Sequence, residues 1–321
     1  MATYKGIQGY TVQSLASDPT ASEVEGQLWY NSTSNVWKIS AAGTGAWSSA
    51  NDLNTARYGV TGSGIQTAAF MAGGYVPASS ALNEQYDGTS WTEAVALNTA
   101  RAEVANAGTV AAGITFGGGA AGSDNLTETW DGTSWAEVAE MNTGRAYLGR
   151  AGTQTAGLAI GGYSTGYLAN TESWNGSAWS ETGDLGTATN TMMGGGISTS
   201  AIIAAGRAGP AVTNVSQTFD GATWTITNTV NTARRYGGGN SIPGSTVALI
   251  FGGTPSPAIT ESWDGTSWTE VADLATGRQT GIGGAGTNAS ALAFGGGPVY
   301  STATEEWSSP SPAVITTVTT S

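Results

Sequence analysis

The sequence writes one phrase several times over. Residues 84–101 read EQYDGTSWTEAVALNTAR, residues 128–145 read ETWDGTSWAEVAEMNTGR, and residues 261–278 read ESWDGTSWTEVADLATGR. A phrase that returns at a fixed interval describes architecture first, because each copy must build the same local unit and bury it against its neighbours. Arginine sets the ruler: Arg57, Arg101 and Arg145 lie 44 residues apart, Thr189 occupies the next slot, and Arg234 and Arg278 follow at intervals of 45 and 44. Six units result. Each ends an apolar run with small residues, namely Gly73-Gly74, Gly117-Gly118, Gly161-Gly162, Ala205-Gly206, Gly252-Gly253 and Gly295-Gly296. About a dozen residues later comes an aromatic (Tyr86, Trp130, Trp174, Phe219, Trp263, Trp307), and in the first five units a tryptophan stands five positions further on (Trp91, Trp135, Trp179, Trp224, Trp268).

Hydrophobic alternation divides the first unit into four strands: YGVTGSG, TAAFMAGG, LNEQYDG and SWTEAVAL. Asp87-Gly88 and its counterparts Asp131-Gly132, Asn175-Gly176, Asp220-Gly221 and Asp264-Gly265 supply residues that accept positive φ, so the third and fourth strands are expected to form a hairpin. Four strands in a period near 44 predict the blade of a β-propeller rather than a helical solenoid. The order arginine, Gly-Gly, aromatic, tryptophan resembles the kelch repeat over roughly residues 44–308. The expected fold is therefore all-β: a six-bladed, kelch-like β-propeller. The last unit lacks its tryptophan, and SSPSPAVITTVTTS carries prolines that interrupt strand pairing. Trp47 lies ten residues before Arg57, as Trp91 lies ten before Arg101, so the N-terminal strand is expected to complete the last blade and leave no long open edge. Three segments follow: residues 1–43, with a β-hairpin, for attachment; the propeller at 44–308; and a C-terminal tail at 309–321.

Composition removes much chemistry. There is no Cys and no His, so disulfides, thiolate or imidazole metal ligands and Ser-His or Cys-His pairs are excluded. Only 10% of residues are charged and the net charge is −13, which repels phosphate backbones and anionic lipid and predicts no nucleic-acid partner. The opening MATYKGIQGYTVQ has no basic leader or apolar core, and no stretch approaches the roughly 18 apolar residues that span a bilayer, so neither signal peptide nor membrane insertion is expected.

Two sets of residues follow the frame or break it. Glu84, Glu128, Glu172, Glu261 and Glu305 each stand 27 residues after their unit's arginine, and the fourth unit changes both positions at once, to Thr189 and Gln217. The joint loss predicts ion pairs within units: Arg57 with Glu84, Arg101 with Glu128, Arg145 with Glu172, Arg234 with Glu261 and Arg278 with Glu305. Their repetition marks them as structural, and a planar guanidinium suits a carboxylate in a buried seam. The repeated tryptophans are expected to pack between blades. The loops after Gly-Gly diverge instead: YVPASSA, GAAGSD, YSTGYLA, RAGPAVT, TPSPA and GPVYST. In a four-stranded blade they share a face with the connections between blades. Tyr75, Tyr163, Tyr167, Arg207 and Tyr300 are thus the expected ligand-binding residues.

An oxidase of the galactose-oxidase type shares the kelch architecture but requires His and a Cys-linked Tyr. A sialidase is the remaining enzymatic alternative. SWDGTSW resembles an Asp-box, but its Gly follows Asp directly, and the arginine cluster would have to come from Arg150, Arg207 and Arg235. No enzymatic activity, cofactor or metal is expected. DPTASEVEGQLWYNSTSNVWKIS resembles segments of virion proteins of marine tailed phages, where such hairpins precede Gly/Ala/Thr-rich kelch-like repeats. That resemblance implies a homo-oligomeric tail-fibre or surface-appendage subunit, made in the bacterial cytoplasm. Residues 1–43 and 309–321 would contact other virion proteins, with strand addition as the mode, and the propeller would bind a host-surface glycan or protein. A capsid decoration or tail-collar protein without receptor binding is the alternative.

Overall fold

The computed structural model describes residues 13–19, 27–41, 45–119, 124–241, 244–297, 300–309 and 314–318. Among them there is no helix; the chain is all-β and divides into two compact units, Met1–Gly45 with Ser309–Ser321, and Ala46–Ser308.

In the larger unit the described residues form six four-stranded antiparallel sheets, the arrangement of propeller blades. The first comprises Ser63–Ile65, Ala68–Ala72, Asn83–Tyr86 and Trp91–Ala94. The second to fifth repeat it, ending in Trp135–Glu137, Trp179–Glu181, Trp224–Thr227 and Trp268–Val271. The sixth takes Gly283–Gly286, Ser290–Phe294 and Thr304–Ser308 from the last unit and its fourth strand from Ala46–Ala50, with Trp47 opposite Trp307. The first strand begins later than the alternation suggests, at Ser63 rather than Tyr58, because Gly59 takes φ 66° and turns the chain before the ladder starts.

The second strands are buried at nearly every position, as in AAFMA and SALAF, since both faces of each sheet are covered. Six hydrophobic clusters fill the spaces between sheets. Met71, Tyr86 and Trp91 of the first meet Leu292 and Phe294 of the sixth, and Phe70 of the first meets Trp130 and Trp135 of the second. Phe116 of the second meets Trp174 and Trp179 of the third, and the series continues to Phe251 and Trp307 between fifth and sixth. The fourth-strand tryptophans also tie neighbouring sheets by hydrogen bonds. The indole N–H donates to a threonine hydroxyl in the third strand of a neighbouring sheet: Trp179 to Thr127, Trp224 to Thr171, Trp47 to Thr260 and Trp91 to Thr304, each at 3.0 Å. Trp135 donates instead to Val95 O at 3.1 Å, a carbonyl that also accepts from the Asn83 amide at 3.2 Å.

The five arginine–glutamate pairs lie in this framework, all ten side chains buried. Arg57 bonds Glu84 and Arg234 bonds Glu261, while the remaining contacts are 2.9 Å (Arg101–Glu128), 3.0 Å (Arg145–Glu172) and 2.7 Å (Arg278–Glu305). Arg101 Nη1 donates in addition to Gly117 O at 3.0 Å and to Leu126 O at 2.9 Å. The second oxygen of Glu128 accepts from the Asn98 backbone at 2.7 Å. Each pair thus ties the connection entering a sheet to that sheet's third strand. In the fourth unit Gln217 keeps half of this role, accepting from Gly186 N at 2.7 Å.

The smaller unit is a mixed four-stranded sheet of Gln13–Leu15, Leu28–Asn31, Val36–Ala41 and Val314–Thr317. The hairpin in WYNSTSN turns through Asn31, whose side-chain oxygen accepts from Thr33 N and Ser34 N. Asp18 gathers Trp29, Asn31 and Lys38. Sequence reading kept residues 309–321 apart as a tail available to neighbouring subunits. The structure pairs its strand antiparallel with Val36–Ala41 of the same chain, because the β-branched segment finds an open ladder edge there. Parts of both proposed attachment segments, residues 1–12, 20–26, 42–43, 310–313 and 319–321, lie outside the described residues.

Candidate functional site

The chain enters each sheet through a residue with left-handed backbone, two or three positions after the arginine ruler. These are Gly59, Glu103, Tyr147, Thr191, Tyr236 and Gly281, with φ between 53° and 66°. Such a conformation is ordinary for glycine and costly for the other four, so surrounding contacts must impose it. Backbone hydrogen bonds do so: Glu103 N donates to Gly59 O (2.9 Å), Tyr147 N to Glu103 O (3.2 Å), Thr191 N to Tyr147 O (2.8 Å) and Tyr236 N to Thr191 O (3.2 Å). Ile282 N donates to Tyr236 O and Val60 N to Gly281 O, both at 3.4 Å.

The residues just before this series face the loops that follow Gly-Gly. Tyr75 N donates to Tyr58 O (2.7 Å), Tyr163 N to Ala146 O (2.8 Å), Arg207 N to Asn190 O (2.9 Å) and Thr254 N to Arg235 O (2.8 Å). The divergent loops and the connections between sheets thereby share one face, and a cavity of about 450 Å³ opens there. Tyr58, Tyr75, Glu103, Tyr147, Tyr236 and Thr280 line it. Residues 120–123 and 298–299 of the divergent loops lie outside the described residues.

Of the five ligand residues expected from sequence, only Tyr75 lines this cavity. Tyr300 is exposed beside it, its ring 6.3 Å from Tyr75 and 5.4 Å from Tyr58. Tyr163, Tyr167 and Arg207 form a separate group, with the tyrosine rings 5.4 Å apart and the Arg207 guanidinium 5.8 Å from the centre of Tyr167. Sequence reasoning missed Tyr58, Glu103, Tyr147 and Tyr236. For Glu103, Tyr147 and Tyr236 the signal was available in the repeat: one column holds Gly, Glu, Tyr, Thr, Tyr and Gly. Glycine alternating with larger residues there marks a positive-φ position whose side chains are released from the common packing.

Glu103 is the cavity's carboxylate. It is partly buried, and among the described residues its carboxylate has neither hydrogen bond nor ion pair, in contrast to the five repeated glutamates. Burial pushes it up to about 7. Burial also raises the phenols of Tyr147, Tyr236 and Tyr58, with the Glu103 charge adding to the effect, so these rings stay neutral hydrogen-bond donors. The Arg235 guanidinium covers one face of Tyr236 at 5.1 Å from the ring centre.

The three arginines that stand outside the repeat do not form one cluster. Arg207 and Arg235 both act on Tyr236, whereas Arg150 is buried in a different cavity of about 30 Å³, where it donates to Gly284 O at 2.9 Å. With no carboxylate beside it, burial draws Arg150 down to about 10. The aspartates of the Asp-Gly turns cap their own hairpins: Asp87 accepts from Thr89 N and Ser90 N, both at 2.8 Å. Those bonds hold Asp87 below the usual carboxylate range, and a Thr133 hydroxyl with two backbone N–H groups draws Asp131 down to about 2. No three Asp or Glu residues gather as a metal site among the described residues. Compared with known families and curated proteins, the sequence matches no family model and no curated protein.

Proposed function

We propose that the larger unit is a closed, six-bladed, kelch-like β-propeller and that the protein is a non-catalytic binding subunit of a tailed-phage virion, which attaches to a host-surface glycan or protein. Closure is supported by contacts that return to their start: the series of backbone bonds leads from Gly59 back to Val60, and Gly296 N donates to Arg57 O at 2.9 Å. The virion setting rests on the WYNSTSN hairpin and on a chain poor in lysine and rich in Gly, Ala, Ser and Thr.

The observation that carries the binding reading is the cavity of about 450 Å³ lined by four tyrosines and one unpaired carboxylate. Its volume suits a small-molecule or saccharide unit, and tyrosine offers an apolar ring face with a polar tip at little entropic cost. The repeated architecture does not require the rings of Tyr147 and Tyr236, since Gly59, Thr191 and Gly281 hold the same backbone without one. The test is binding of the purified full chain to an array of bacterial surface glycans and to intact host cells. Tyr58→Ala with Tyr147→Ala should abolish retention while leaving the circular dichroism spectrum unchanged. Retention unaffected by the double variant, or no retention by the wild type while the protein is present in purified particles, would favour a decoration or collar role.

A further inference from the structure

We propose that this cavity recognises a ligand bearing a positively charged nitrogen, a protonated amine or quaternary ammonium, with Glu103 as its counter-charge and Tyr58, Tyr147 and Tyr236 as the rings around it. The inference rests on the binding reading above and narrows it to a chemical class.

Glu103 departs from everything the repeat does with glutamate. Glu84, Glu128, Glu172, Glu261 and Glu305 each meet an arginine, whereas Glu103 sits at a left-handed position, φ 57°, with its carboxylate unpartnered among the described residues. Desolvating a carboxylate without a partner is unfavourable, so a group that supplies positive charge gains more here than on an exposed surface. The neighbouring glycine makes the room. A Cβ on Gly59 would lie 2.7 Å from Glu103 Oε1, so the side chain occupies space that any other residue at position 59 would fill.

The rings decide which cation. A metal ion wants six or more oxygen ligands or a compact cluster of carboxylates, and a single carboxylate among phenols does not provide one. An alkylammonium spreads its charge over C–H groups that pack on aromatic faces, and the ring quadrupole adds attraction once water is excluded. The other charged groups facing the site are few. Asp124 approaches from behind Gly119, where a Cβ would lie 2.4 Å from its Oδ2, and adds negative potential. Arg235, its guanidinium 5.1 Å from the Tyr236 ring centre, and Arg207 bring positive charge to Tyr236, so a cation is drawn to the part of the site held by Glu103, Tyr58 and Tyr147, where no arginine acts on the phenols. An anionic ligand would have to approach both carboxylates, and a neutral sugar would leave Glu103 uncompensated.

The experiment titrates the full chain by calorimetry with choline and with 3,3-dimethyl-1-butanol, its neutral carbon isostere. Glucosamine against N-acetylglucosamine and Nα-acetyl-lysine amide serve as probes of the two sources of such a nitrogen, a glycan and a protein. Choline should bind at least about tenfold more tightly than the isostere. Glu103→Gln should remove the discrimination without moving the thermal midpoint downward, and wild-type affinity should fall as pH drops from 8 to 5. Equal affinity for choline and its isostere, or undiminished preference in Glu103→Gln, would overturn the inference. So would failure of choline, glucosamine and the lysine derivative alike. A neutral glycan that binds wild type and Glu103→Gln equally would overturn the cationic class while leaving the binding reading intact.

Discussion

Trp47 stands opposite Trp307 in the pairing of Ala46–Ala50 with Thr304–Ser308, their ring centres 5.5 Å apart. Residues from distant parts of the chain thus complete one sheet, and Trp47 extends the contact to Phe251 (4.9 Å) and the Thr260 hydroxyl (3.0 Å) in the sheet beside it. Trp47→Ala should therefore destabilise the larger unit by about 3–5 kcal/mol, the usual result of emptying a buried aromatic site. Trp37→Ala, at a residue 43% exposed in the smaller unit, should stay within about 0.5 kcal/mol. Urea midpoints of the two variants separate these outcomes.

A buried ion pair responds to loss of one partner more strongly than to loss of both. Arg101→Ala leaves Glu128 without its counter-charge, the Gly117 carbonyl without the arginine donor and the Leu126 carbonyl with the Gly117 N–H alone, and should cost about 3–5 kcal/mol. In a double-mutant cycle with Glu128→Ala, the coupling should exceed about 1 kcal/mol. A cost near zero for Arg101→Ala would mean that water reaches the pair.

One of the bonds between sheets is missing where the sequence has serine in place of threonine. Trp268 Nε1 and the Ser216 hydroxyl are both buried and lack partners, at the position where Thr127, Thr171, Thr260 and Thr304 receive an indole N–H. The added methyl restricts the side-chain rotamer, so Ser216→Thr should direct the hydroxyl to the indole and raise stability by about 1 kcal/mol. Slower exchange of the Trp268 indole proton would report the new bond directly.

Glu103 predicts the direction of one pH effect. Its folded-state value of about 7 lies above the ordinary 4.5, so between these values the folded chain holds a proton that the unfolded chain has released. Its contribution is fully present below pH 4.5 and is lost as pH rises through 7, amounting to about 3 kcal/mol. The turn aspartates act in the opposite sense at lower pH, so the clean measurement is the difference between wild type and Glu103→Gln from pH 4.5 to 8. That difference should grow in favour of the variant. A flat difference would mean that the carboxylate is hydrated.

What the sequence determined by itself is whatever six units must do alike. The four-strand pattern, the Asp-Gly hairpins, the arginine–glutamate pairs and the strand around Trp47 were legible because a contact made in every unit leaves residues at a constant spacing. Even the break at Thr189 and Gln217 was informative, since two positions changed together. The tertiary structure alone decided what is made once. Glu103, Tyr147 and Tyr236 come from different units and meet because successive sheets bring one backbone position of each unit to a common face, where Tyr58 joins them from the residue just before that position in the first unit; no local pattern ties a glutamate in one unit to tyrosines in three others. The pairing of Val314–Thr317 with Val36–Ala41 is of the same kind. A β-branched segment announces a strand, but which ladder edge it joins depends on the long-range geometry of the chain, which spacing along the sequence does not encode.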